Sequence, residues 1–114
     1  MTISIFAVMN VIEQKIQSIN ELCKQYRVNT LFAFGSAISD RFNDQSDVDL
    51  LVDMQPMTPE EKGETLLQLW DALEKLFARR VDLLTEQSLK NQYLRKNIER
   101  TKHLIYERGN PKAA

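Results

Sequence analysis

The sequence predicts a layered fold of the α+β or α/β kind, with helices packed on a small sheet. Three observations carry this. Three short runs rich in β-formers, "VNTLFAF", "VDLLVDM" and "RRVDLLT", are separated by stretches long enough to hold helices. Those stretches repeat apolar residues at three-and-four spacing. The chain has 114 residues but only three Gly and three Pro, which suits one core and offers no linker between domains. The expected organisation is one domain over residues 1–114, with a frayed tail from about residue 108.

The elements follow in order. Residues 11–26 carry Val11, Ile12, Ile16, Ile19, Leu22, Cys23 and Tyr26 on one face, hence an amphipathic helix. Residues 28–34 form a strand that Gly35 ends. Residues 36–41 suit a short helix beginning at Ser36, and "RFNDQS" reads as a turn through Asn43, Asp44 and Ser46. Residues 48–54 are a second strand. Thr58-Pro59-Glu60-Glu61 is a helix start, with Thr58 as N-cap, Pro59 at the first helical position and Glu61 closing a capping box. That helix is expected to run to about Phe77, with Leu66, Leu69, Trp70, Leu73, Leu76 and Phe77 inward. "RRVDLLT" is the third strand. From Glu86 to Glu107 the expectation is helix, in two pieces, with Leu94, Ile98 and Ile105 as its apolar stripe.

Composition narrows the function. Formal net charge is −1, which argues against a protein that binds nucleic acid by neutralising phosphates. One cysteine, Cys23, permits no internal disulfide, and its place on an apolar helix face reads as core in a reducing compartment. "MTISIFAVMN" lacks the basic start and cleavage site of a signal peptide, and no apolar run reaches membrane-spanning length. The expected location is the cytoplasm.

The chemistry sits in "LFAFGSAISDRFNDQSDVDLLVD". Residues i and i+2 of a strand share a face, so Asp47 and Asp49 project together, their Cα atoms about 7 Å apart. Two anions there repel, and a divalent cation between them relieves the repulsion. Mg²⁺ takes oxygen ligands and commonly one or two carboxylates plus substrate phosphates. Asp82, set in "VDLL", joins them if the third strand lies beside the second. Three carboxylates on neighbouring strands suit two metal ions roughly 4 Å apart, as in phosphoryl and nucleotidyl transfer. Gly35 lets the backbone approach a ligand, and a helix starting at Ser36 offers free N–H groups to a phosphate.

"GSAISDRFNDQSDVD" is Gly-Ser, ten residues, then Asp-x-Asp. It resembles the signature of the polymerase-beta-type nucleotidyltransferases. The small size, "RRVDLLT" and "SLKNQYLRKNIERTKHLIYE" are similar to the minimal nucleotidyltransferases, antitoxin partners of HEPN-domain ribonuclease toxins. The resemblance runs from about Leu31 to Glu107. It implies an α+β fold with a small mixed sheet, ATP as nucleotide donor, two Mg²⁺ ions, and transfer of AMP to a tyrosine of the toxin. By that resemblance Asp47 and Asp49 are the paired metal ligands and Asp82 the third carboxylate, which helps activate the attacking hydroxyl. Gly35 and Ser36 hold the triphosphate. The pattern departs at Ser39 and Asp40, where many relatives carry a basic residue and a glycine.

Two other functions stand beside this one: an antitoxin acting by binding alone, and an enzyme modifying a small-molecule hydroxyl in a pocket built by a homodimer. Other readings fail on spacing. Leu51 and Val52 occupy positions where an EF-hand needs a ligand and a glycine, and there is no Walker A sequence. One Cys and one His make no zinc site. Asp53 shares the strand face but lies about 13 Å from Asp49, so it reads as solvated. His103 reads as a surface residue of the last helix. Trp70 reads as core, Arg79-Arg80 as a solvated edge or a phosphate or partner contact, and Tyr93 and Tyr106 as core or interface.

Overall fold

The computed structural model describes residues 12–34 and 47–109. Helix α1 (Ile16–Gln25) leads into β1 (Val28–Ala33). Strand β2 (Val48–Met54) is followed by α2 (Pro59–Phe77), β3 (Val81–Thr85), a 3₁₀ turn at Glu86–Ser88, α3 (Gln92–Thr101) and β4 (His103–Glu107). The four strands form one mixed sheet in the order β3-β2-β1-β4. β1 is antiparallel to both β2 and β4, while β2 and β3 run parallel with α2 as the crossover.

Strand alternation divides the core. Val48, Leu50 and Val52 of β2, Leu31 and Ala33 of β1, and Val81 and Leu83 of β3 turn to one face. There they meet Ile19 and Cys23 of α1 and Leu69, Leu73 and Phe77 of α2. The opposite face carries Asp49, Leu51 and Asp53. Leu51 and Phe34 pack under Leu89 and Ile98, so the 3₁₀ turn and α3 cover that part of the sheet. The sheet is therefore helix-covered on one face and only partly covered on the other, which leaves room for chemistry at one end.

Most expected elements are present at their expected places. β2 spans the expected residues, and α2 begins on its capping box: Glu61 N–H donates to Thr58 Oγ1 at 3.2 Å, and Thr58 Oγ1 donates to Glu61 Oε1 at 2.9 Å. α2 stops at Phe77 because Ala78 takes the left-handed conformation, φ 53°. Arg27 does the same after α1, with φ 60°.

One expectation is corrected. The last element is not helix to Glu107. α3 ends at Thr101, and His103–Glu107 forms β4 along the outer edge of β1. Leu94, Ile98 and Ile105 thus do not make one helical stripe: Ile105 is buried from a strand, next to Tyr106. His103 lies on that strand, exposed, and Tyr93 is exposed on α3. The physical reason is the free edge of β1, whose backbone groups need partners that a helix would not supply. The short helix and turn expected over residues 36–46 lie outside the described residues, as do Val11 and residues 110–114.

Candidate active site

The site is built where β2 and β3 begin. Their parallel register sets Asp49 directly beside Asp82, and Val48 beside Val81. Paired residues of neighbouring parallel strands share a face and lie about 4.8 Å apart. Asp49 and Asp82 therefore project side by side, as the sequence reading required. Asp49 is buried, whereas Asp82 is exposed enough to meet a ligand.

Asp47 stands at the mouth of β2. The pairing continues to its level, since Val48 N–H donates to the Arg80 carbonyl at 3.0 Å. That bond fixes the backbone of Arg80 opposite the entry to β2. The Arg80 side chain then comes between two carboxylates, with Nε 3.9 Å from Asp47 Oδ2 and 4.0 Å from Asp82 Oδ1. The sequence called for a cation between Asp47 and Asp49, whereas here an arginine stands between Asp47 and Asp82. Sequence reasoning gave Arg80 no such place. The signal was available: Arg80 and Asp82 are i and i+2 on one strand direction, so they share a face as Asp47 and Asp49 do.

β3 is an edge strand, and α2 secures its first residue. Trp70 Nε1 donates to the Val81 carbonyl at 2.6 Å, and the Val81 N–H donates to Glu74 Oε2 at 3.0 Å. Both backbone groups on the open side of Val81 are thereby satisfied by side chains from one helix. Trp70 is half-buried core, as expected, and it also anchors the residue before Asp82.

Gly35 and Ser36 lie outside the described residues. The described chain reaches Phe34, whose N–H donates to the Asp49 carbonyl at 3.1 Å, and resumes at Asp47. The described chain thus leaves and re-enters beside the same carboxylates. Asp53, far along β2, accepts a hydrogen bond from Asn29 Nδ2 at 2.9 Å and is exposed, away from this cluster. Among the described residues, no three His, Cys, Asp or Glu side chains converge as a ready-made metal site. The donor set is nonetheless of the right chemistry: carboxylate oxygens suit Mg²⁺, and the Arg80 head that stands between two of them is 74% exposed and able to turn away.

Carboxylates thus stand together where adjacent parallel strands begin, with helices behind the sheet. Residues 17–110 match the polymerase beta nucleotidyltransferase family, and the chain belongs to it. A protein of Methanocaldococcus jannaschii named "Putative protein adenylyltransferase MJ1379" is 34% identical over 82 residues, which is 72% of this chain and 79% of that protein. The protein adenylyltransferase MntA of Thermococcus cleftensis is 35% identical over 71 residues, 62% of this chain and 69% of that one. A crystal structure of a toxin–antitoxin complex with AMP-PNP superposes with a TM-score of 0.59 at 16% identity, covering 82% of this chain and 74% of that chain. That last likeness is one of fold, and it agrees with the α+β architecture and its mixed sheet.

Proposed function

We propose that this protein transfers AMP from ATP to a tyrosine hydroxyl of a HEPN-type toxin and so acts as its antitoxin. The observation that carries the reading is the pairing of Asp49 with Asp82 on one sheet face, with Asp47 at the strand mouth, in a chain of this family. The relatives named protein adenylyltransferases support AMP transfer to protein, and the resemblance of the sequence motifs to minimal nucleotidyltransferase antitoxins points to a toxin as the acceptor.

In this reading Asp47, Asp49 and Asp82 would hold two Mg²⁺ ions, which would supply charge neutralisation for the triphosphate and a lowered pKa for the attacking hydroxyl. Ser36 and the backbone at Gly35 bind the β- and γ-phosphates. Asp82, the more exposed of the register pair, faces the acceptor and orients the tyrosine hydroxyl. The hydroxyl oxygen bonds to the α-phosphorus, the bond from phosphorus to the β-bridging oxygen breaks, and pyrophosphate leaves with the electron pair. The hydroxyl proton passes to a carboxylate oxygen of Asp82 and from there to water. Positioning and charge neutralisation supply most of the rate, since the chain has little covalent work to do. In this reading the protein works in the cytoplasm, where ATP is supplied.

The test uses no assumed partner. The purified protein, Mg²⁺ and ATP labelled at the α-phosphate are added to an extract of the source cells, beside an Asp47→Asn/Asp49→Asn variant. One labelled protein band that disappears with the variant is the expected result, and its mass identifies the acceptor. A variant that still binds a partner while neither protein labels anything would replace transfer with an antitoxin that acts by occlusion.

A further inference from the structure

We propose that Arg80 is a positioning residue that competes with the divalent cation for Asp47 and Asp82. It holds the two carboxylates together before metal arrives and is displaced when metal loads with the nucleotide. The inference rests on the metal reading of these carboxylates given above.

Three features of the structure support it. The Arg80 backbone is fixed, because its carbonyl accepts from Val48 N–H at 3.0 Å. Its guanidinium is the group that reaches both carboxylates, at 3.9 and 4.0 Å, and these come from different strands. Its side chain is 74% exposed, so it leaves the carboxylates without disturbing the core. An anchored base with a mobile charged head is a built-in counter-ion. A guanidinium also pairs well with phosphate oxygens. Once metal holds the carboxylates, the released head finds its next anion in the triphosphate. Metal and nucleotide then favour each other's binding through one side chain, and the site loads both together in preference to metal alone.

The experiment reads metal occupancy, not turnover. Free Mn²⁺ is titrated by its EPR signal in solutions of wild type, Arg80→Gln, Arg80→Lys and Lys24→Gln, each with and without AMP-PNP. Asp47→Asn/Asp49→Asn serves as the control for the metal site itself. An exposed ion pair contributes up to about 1 kcal/mol, or about 5-fold in an equilibrium constant. Relief of two such contacts is expected to raise the Mn²⁺ affinity of Arg80→Gln by about 5- to 20-fold without nucleotide. The gain in Mn²⁺ affinity that AMP-PNP gives wild type is expected to shrink in the same variant. Arg80→Lys, which keeps the charge, should stay near wild type. Lys24→Gln, which removes one positive charge from the exposed side of α1, should move less than about twofold.

Equal or weaker Mn²⁺ binding by Arg80→Gln would overturn the competition while leaving the metal reading intact. An equal gain in Lys24→Gln would do the same, since it reports only net charge. Wild type that binds no Mn²⁺ in either condition, or binding unchanged in Asp47→Asn/Asp49→Asn, would remove the metal reading and the competition with it.

Discussion

Cys23 shows what a single buried side chain contributes and how that depends on pH. It sits on the inner face of α1, fully enclosed by the main core. Burial pushes its thiol up from 9.0 to about 12, because a thiolate there would lose its hydration. The folded state therefore keeps the proton over a range where the unfolded chain releases it. This contribution is fully present below pH 9 and is lost as pH rises towards 12, at up to about 1.4 kcal/mol per pH unit. Urea unfolding at pH 8, 9.5 and 10.5 is expected to show a steeper alkaline loss in wild type than in Cys23→Ala. The same burial makes the native thiol inert: iodoacetamide at pH 8 should label Cys23 only under unfolding conditions. Arg80 is the opposite case, an exposed residue whose importance comes from the two acids it faces.

At the scale of elements, α2 is held at both ends by local chemistry. At its start the Thr58 hydroxyl donates to the Glu61 carboxylate and holds that group below the usual carboxylate range. Thr58→Ala removes the side-chain acceptor of one N-terminal N–H, and a loss of about 1 kcal/mol is expected. At its end Ala78 occupies a left-handed conformation, φ 53° and ψ 38°, that suits glycine better. Ala78→Gly is expected to stabilise the protein by about 0.5–1 kcal/mol, after the added entropy of glycine in the unfolded chain. Thermal melts of both variants, moving in opposite directions, check this. α2 matters beyond its own stability because Trp70 and Glu74 hold Val81. Trp70→Phe is expected to speed hydrogen exchange of the β3 amides more than those of β1, since it leaves the Val81 carbonyl without its donor.

The whole molecule depends on its last strand. Ile105 and Tyr106 are buried against the main core, although β4 lies at the sheet edge. β4 also covers the backbone of β1, and Arg108 beyond it donates its N–H to the Asn29 carbonyl at 2.9 Å and its Nη1 to Gln55 Oε1 at 3.1 Å. A chain shortened to end at Lys102 would open β1 and remove two buried side chains, each worth roughly 1.5–3 kcal/mol. For a domain with a total stability of about 5–15 kcal/mol, that is a large fraction. The shortened chain is expected to lose its cooperative melt by circular dichroism, or to associate through the opened edge in gel filtration.

Much of this fold was legible in the sequence because the relevant rules are local. A capping box fixes where α2 starts from four consecutive residues, and the β-former runs placed β1, β2 and β3. The period-2 rule put Asp47 and Asp49 on one side and Val48, Leu50 and Val52 on the other. β4 was not legible. Leu94, Ile98 and Ile105 fit a helical period, and nothing within "KHLIYE" announces that β1 has an open edge waiting for it. Arg80 was half legible: its charge was plain, but its place between Asp47 and Asp82 depends on two strands lying side by side.

By itself, then, the sequence determined which residues could be strand, helix and carboxylate cluster, because backbone propensity, capping and side-chain alternation act over a few residues. The tertiary structure alone decided that β2 and β3 run parallel in the register that sets Asp49 against Asp82. It also decided that Arg80 would stand between Asp47 and Asp82 and that the last segment would extend as β4. Those outcomes come from pairing between distant segments, where the need to satisfy edge backbone groups and to bury Ile105 decides what no local rule does.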